Sequence, residues 1–271
     1  MGPAGTFSEE AAIAYDPQAQ YAACPSIPAV AAAVEQGKVD EGVVPIENSL
    51  EGSVTFTLDL LIHDSNLFIR HELVLPIHNN LLARPGTRLG DIRVIHSHPQ
   101  PLAQCRGFLT ERFPNAELVA SLSTAAAVEQ LKKSDARAAA IGTLRAAELY
   151  GAAVLARNIE DNPNNVTRFV VLATSDRPPT GADKTSICFS FDADRPGLLY
   201  GVMKCFAELG LNLAKVESRP TKQSLGRYIF LIDVEGHRED PKVKTALDQM
   251  KRQVSMLKVF GSYPKAKPSA Q

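Results

Sequence analysis

The order of hydrophobic periods after residue 184 constrains the fold most. Ile187, Phe189 and Phe191 alternate with Cys188 and Ser190, the period of a half-buried strand. Residues 194–197 then turn the chain. Leu198, Leu199, Val202, Met203, Phe206 and Leu209 follow at helical spacing, and Gly210 supplies the stop. An apolar-polar run at 211–216 and a β-rich run at 228–234 predict two more strands. Val243, Ala246, Leu247 and Met250 predict a second amphipathic helix, and 255–263 a last strand. Strand, helix, strand, strand, helix, strand is the split βαβ unit, the ferredoxin-like α+β arrangement.

Residues 173–184 precede this unit. They are polar, carry Pro178-Pro179 and Gly181, and follow the apolar run 169–172, so they read as a linker. The break divides the chain into about 175 and about 80 residues, both ordinary domain sizes. The expected division is 1–175, a linker at 176–183, a second domain at 184–263 and a loose tail at 264–271. Before the break, β-like runs at 42–46, 94–96 and 138–141 alternate with Ala-rich helical patterns near 9–15, 27–36, 101–112, 124–133 and 144–150. That rhythm predicts an α/β architecture with mostly parallel strands.

Composition removes several function classes. Hydrophobic residues make up 45% and charged residues 22%, enough apolar content for a sizeable core. Lys+Arg is 29 against Asp+Glu 30, so no bulk attraction to nucleic acid or an acidic membrane is expected. The four cysteines, Cys24, Cys105, Cys188 and Cys205, include no CxxC pair and read as buried small hydrophobes in a reducing compartment. No apolar run approaches the ~18 residues of a membrane span. The first residues lack the basic and apolar regions of a signal peptide, so a cytoplasmic, soluble protein is expected.

Several segments place small polar residues where a strand gives way to a helix. Thr6 and Glu9 fit a capping box. Ser123-Thr124 and Thr143 precede Ala-rich helices, and Asn48-Ser49 follows the run 43–47. Helix starts offer free N–H groups, so several converging on one crevice suit a small anion. Each taken singly is also an ordinary cap. The stretch 160–169, Glu-Asp-Asn-Pro-Asn-Asn-Val-Thr-Arg-Phe, is denser. Thr167 offers a hydrogen-bond donor and Arg168 a carboxylate fork; an Asx-rich turn leading into a strand fits equally well. His96 and His98 could share a strand face, but no third ligand is spaced for a metal.

Taken in order, Gly2-Pro-Ala-Gly-Thr-Phe-Ser-Glu9, Val44-Pro-Ile-Glu-Asn-Ser49 with Gly52 and Val54, Ser97-His-Pro-Gln100 with Gln104-Cys105, and Asn165-Val-Thr-Arg-Phe169 resemble the motif series of the prephenate dehydratase family. Arg195-Pro-Gly-Leu-Leu199 and Glu217-Ser-Arg-Pro220 resemble its ACT regulatory domain. The match runs from Gly2 to about residue 260. Each motif alone is weak; four in sequence are specific.

The resemblance implies a bilobal catalytic domain like the type II periplasmic binding proteins, with its site in the cleft. One lobe would hold 1–74 and 155–175, the other 75–154. It implies conversion of prephenate to phenylpyruvate with loss of CO2 and water, in phenylalanine biosynthesis, with no metal or organic cofactor. Thr167 would be the catalytic donor to the leaving hydroxyl. Thr6, Asn48, Ser49, Gln104, Ser123, Thr124, Arg168 and Phe169 would bind substrate, with Gln100 in reserve. Phenylalanine would bind the ACT domain through Arg195, Pro196, Gly197, Leu198, Leu199, Asn212, Leu213, Glu217 and Ser218, in a homodimer or homotetramer. Two departures stand out. Family members usually carry a short strand before Gly2, where this sequence has only Met1. The expected Gly-Ala-Leu-Val reads Gly197-Leu-Leu-Tyr200, which alters the effector pocket. The rival readings are arogenate dehydratase and a non-catalytic amino-acid-sensing protein.

Overall fold

A computed structural model describes residues 1–134, 137–222 and 226–266. In chain order the first part runs α1 (Phe7–Tyr15), α2 (Ile27–Glu35), β1 (Gly42–Asn48), β2 (Gly52–Ser53), α3 (Thr55–Asp59) and a π-helical turn (Leu60–Asp64). It continues through β3 (Phe68–Pro76), β4 (Asn80–Ala83), β5 (Val94–Ser97), α4 (Pro99–Gln104), α5 (Arg106–Arg112), β6 (Glu117–Ala120) and α6 (Thr124–Gln130). Then come β7 (Ala138–Gly142), α7 (Leu144–Tyr150), β8 (Ala153–Ala156) and β9 (Val166–Ala173). The last part is β10 (Asp183–Ser190), α8 (Leu198–Ala207), β11 (Leu213–Pro220), β12 (Tyr228–Glu235), α9 (Pro241–Lys251) and β13 (Met256–Pro264).

Among the described residues three sheets form, ordered β2-β1-β9-β3, β6-β5-β7-β4-β8 and β11-β12-β10-β13. The last has the ferredoxin-like order, and β10 pairs antiparallel with both β12 and β13. The five-stranded sheet corrects the expectation of mostly parallel strands. β5 runs parallel to β6 and β7, but β4 is antiparallel to both β7 and β8. Both β4 and β7 are buried at every position, and such apolar runs carry no mark of direction.

By its contacts the chain forms two compact units: 1–30, 43–54 and 74–169 in one, and 31–42, 55–73 and 170–271 in the other. In the first, Leu81, Ile95, Leu109, Ala139 and Ile141 form one core cluster of the five-stranded sheet. The helix expected over 101–112 is two, broken at Cys105, because the Gly107 N–H leaves the helical ladder and donates to the Asp161 carboxylate at 3.0 Å. The pattern read to 133 stops at Gln130 in α6. His98 is not on a strand face with His96; it caps α4, its ring accepting from Gln100 N.

In the second unit, Ile187 and Phe189 of β10 pack with Val202 and Phe206 of α8 and with Val243, Ala246 and Met250 of α9. Truncating Phe206 to Ala would cost about 3–5 kcal/mol. β10 is not the half-buried strand its alternation suggested, since Ser186 and Cys188 on the other face are buried too. The covering chain is residues 59–73. Lys258 Nζ donates to Ser65 O at 2.7 Å, and Lys184 bridges the buried Glu72 carboxylate at 2.9 Å. The expected linker is tied down: Asp176 pairs with Arg238 and accepts from Ser262 N, and Asp183 accepts from Thr180 and Gly181. Lys265 N and Ala266 N, expected in a loose tail, donate to Ala182 O and to Glu72; the rest of that tail, 267–271, lies outside the described residues.

Candidate active site

β1 ends at Asn48 and turns back through Ser49, Leu50 and Glu51 into β2, so this stretch begins a hairpin rather than a helix, correcting the reading of Asn48-Ser49 as a helix start. The backbone N–H groups of Leu50 and Glu51 donate to Asn48 Oδ1 at 3.0 and 3.1 Å. A backbone N–H can only donate, so these bonds fix which end of the Asn48 amide is oxygen. Its Nδ2 therefore faces β9, where it donates to Asn165 Oδ1 (2.7 Å), Thr167 Oγ1 (2.9 Å) and, at longer range, Val166 O (3.2 Å). Ser49 stitches the same strand, its hydroxyl accepting from Val166 N at 3.0 Å and its N–H donating to Val166 O at 2.9 Å.

Gln104 reaches this cluster from the end of α4. Its Oε1 accepts from Asn165 Nδ2 at 3.2 Å and its Nε2 donates to Glu51 Oε1 at 3.5 Å. Asn48, Asn165 and Thr167 are all buried. Asn165 belongs to the motif carrying Thr167 but was not among the expected site residues. Asn165 immediately precedes β9, and extending the strand's period of two back by one residue puts it on the face of Thr167, which was the available signal. The same parity sends Arg168 to the opposite face, where its guanidinium pairs with Glu47 at 3.3 Å, a partly buried ion pair. Phe169 is 1% exposed and belongs to the core.

Thr6 sits in a second cluster. It precedes α1 without capping it: its hydroxyl donates to Pro3 O at 2.6 Å. Glu9 reaches back to Gly5 N at 2.7 Å, so the capping box forms one residue early and without the threonine's half. Gly5 has φ +81°, and a Cβ there would lie 3.1 Å from Ala146 Cβ and 3.4 Å from Ala125 Cβ. Only glycine lets the chain pass this close to the starts of α6 and α7. Thr143 caps α7 through Ala146 N and donates to Gly5 O, both at 2.9 Å. Ser123 caps α6 through Ala126 N at 3.0 Å, and Thr124 is buried beside it. The starts of α1, α6 and α7 thus lie close together around Gly5.

Electrostatics separate players from bystanders. Burial pushes the Cys105 thiol far up and the Cys188 thiol up to about 12, so both are neutral and inert as nucleophiles. Burial holds His96 and His98 below the ordinary histidine range. Burial also raises the Glu10 carboxyl, outweighing the polar surroundings of Thr143 and Arg145, which act to lower it.

The residues expected to bind phenylalanine fall in two places. Arg195, Gly197, Leu198 and Leu199 line an open pocket of about 400 Å³ with Tyr200, Tyr228 and Phe230, and Pro196 lies between them in the chain. Asn212 immediately precedes edge strand β11, which carries Leu213, Glu217 and Ser218. Only Ser218 is placed near the pocket, opposite Phe230 in the sheet register.

The prephenate dehydratase family model matches residues 1–177 and the ACT domain model residues 193–252. A bifunctional chorismate mutase/prephenate dehydratase of Aquifex aeolicus is 42% identical over 98% of this chain and 73% of its own length. Among solved structures, a prephenate dehydratase from Arthrobacter aurescens in complex with L-Phe is 39% identical, with a TM-score of 0.89 over 100% of this chain and 91% of its own. A protein described as a novel type of quorum quenching acylase is 33% identical, with a TM-score of 0.87 over 98% and 97%. Motif order, sheet topology and identity along nearly the whole chain agree: it belongs to the prephenate dehydratase family, with an ACT domain following the dehydratase portion.

Proposed function

We propose that this chain converts prephenate to phenylpyruvate, CO2 and water, with 1–175 as its catalytic portion and 184–263 as a regulatory portion inhibited by phenylalanine. The bond from the ring to its carboxylate breaks as CO2 leaves. That electron pair enters the ring, the bond to the ring hydroxyl breaks, and the departing hydroxide takes a proton to leave as water. Aromatisation supplies the driving force, and the poor leaving group is the obstacle.

The observation that carries this reading is the hydrogen bond from Asn48 Nδ2 to Thr167 Oγ1. With that oxygen already accepting, the threonine proton is left for another partner, and among the described residues no acceptor takes it. Thr167 is then a positioned donor for the leaving hydroxyl, strongest where charge develops on that oxygen. The converging starts of α1, α6 and α7, with Thr6, Ser123 and Thr124, suit the substrate carboxylates. Arg168, held by Glu47, orders the site rather than meeting substrate. No step calls for a metal or organic cofactor. An acylase would need an activated nucleophile. Thr167 accepts from an amide instead of donating to a base, so this geometry favours the dehydratase.

Phenylalanine would occupy the pocket at Arg195–Leu199. Leu213 and Glu217 on the open edge strand, with Asn212 just before it, would complete it from a second copy of the chain, in a cytoplasmic homodimer or homotetramer. Thr167→Ala tests the catalytic assignment: it should fold and lose about 10²–10³ in turnover, the usual effect of deleting one aimed donor. Turnover within threefold of wild type would sink the role.

A further inference from the structure

We propose that Glu51 is a positioning residue for the dehydration, acting through Gln104 on Asn48 and Thr167; this deepens the reading above and rests on it. Three side-chain bonds and one backbone bond close a ring through four residues. Asn48 Nδ2 donates to Asn165 Oδ1, Asn165 Nδ2 to Gln104 Oε1, and Gln104 Nε2 to Glu51 Oε1; Glu51 N donates back to Asn48 Oδ1. Every bond points the same way round.

An amide offers a donor at one end and an acceptor at the other, so turning one member of such a ring forces its neighbours to turn or to face like with like. Asn48 is fixed by backbone N–H groups at the turn. Asn165 is held at its Oδ1 by the NH2 of that fixed Asn48, and Gln104 at its Oε1 by Asn165. The Glu51 carboxylate holds the far end of the row, 3.5 Å from Gln104 Nε2, because an ionised carboxylate only accepts. If Gln104 turns, its NH2 meets that of Asn165. If Asn165 then turns, its NH2 meets that of Asn48, and the Asn48 grip on Thr167 loosens. Glu51 is an exposed residue, with its backbone and carboxylate at the two ends of one chain of bonds.

The test is a series at position 51, read as kcat on prephenate. Glu51→Gln keeps an acceptor for Gln104 Nε2 and should stay within about twofold of wild type. Glu51→Ala removes the anchor, leaves water to replace it, and should lower kcat several-fold. Glu51→Lys puts a donor against a donor and should lower kcat by about tenfold, the scale of one misdirected hydrogen bond. KM should change less than kcat, and the thermal midpoint should hold because the position is exposed. In a Gln104→Leu background the three variants should become equal, which a merely structural role for Glu51 would not produce. Glu51→Lys within twofold of wild type, or the same ordering persisting beside Leu at 104, overturns the proposal. A wild-type enzyme that folds but does not turn over prephenate overturns the functional reading, and this inference with it.

Discussion

Replacing Asn48 with Asp changes one NH2 into an oxygen and almost nothing in shape, yet it should disable the site. The carboxylate still accepts from Leu50 N and Glu51 N, so the hairpin turn survives. What disappears are the donations to Asn165 Oδ1 at 2.7 Å and Thr167 Oγ1 at 2.9 Å. Thr167 then rotates its proton onto the new carboxylate, a stronger acceptor than the leaving hydroxyl, and donation to substrate is lost. Asn165 must turn its NH2 toward Asp, which brings its oxygen against Gln104 Oε1. Loss of one aimed donor costs about 10²–10³ in kcat, and the disturbed buried pairs about 1–3 kcal/mol of stability. Asn48→Ala is the informative partner. It deletes the donor without installing a trap for the Thr167 proton, so it should retain more activity than the closer mimic. The assay is steady-state phenylpyruvate formation, with circular dichroism confirming the folded fraction. An Asp variant within threefold of wild type, or one more active than Ala, refutes the claim that Asn48 directs the threonine proton.

Three further outcomes follow from the same structure. Gly261→Ala should destabilise the protein by about 3 kcal/mol: its φ is +139°, and a Cβ would lie 2.9 Å from Ile69 N and closer still to the Ile69 carbonyl; a thermal midpoint equal to wild type would contradict that packing. Burial raises the Glu10 carboxyl above the ordinary carboxylate range, so its contribution to stability is greatest below that range and is lost as pH rises through the raised value; Glu10→Gln should therefore raise the midpoint at neutral pH, with the gain shrinking as the pH is lowered into that range. Leu198→Asp places a carboxylate in the pocket beside Arg195 and should raise the phenylalanine concentration needed for inhibition by about tenfold, read from inhibition curves on prephenate turnover.

The C-terminal sheet was legible because its strands and helices carry clean periods of two and 3.6, and turns separate them. Strand direction in the five-stranded sheet was not. Asn80–Ala83 and Ala138–Gly142 are buried throughout, and burial on both faces erases the alternation that would orient them. The burial of both faces of β10 was hidden for a different reason. Its cover comes from residues 59–73, far away in sequence, and no local pattern marks such a contact.

Around the candidate site, the order of motifs pointed to Asn48, Ser49, Gln104 and Thr167, and these four lie in one hydrogen-bonded cluster with Asn165. Strand parity alone would have added Asn165 beside Thr167 and set Arg168 apart with Glu47. Glu51 was out of reach, because its role depends on a turn bringing its side chain to a helix end fifty-three residues on.

One measurement bears most directly on the account: purified wild-type protein supplied separately with prephenate and arogenate, scoring phenylpyruvate and phenylalanine, with and without added phenylalanine. The account predicts phenylpyruvate from prephenate, falling as phenylalanine is added. Turnover of arogenate alone would contradict the assigned substrate. No turnover of either by folded protein that still binds phenylalanine would contradict the catalytic claim and leave an amino-acid sensor.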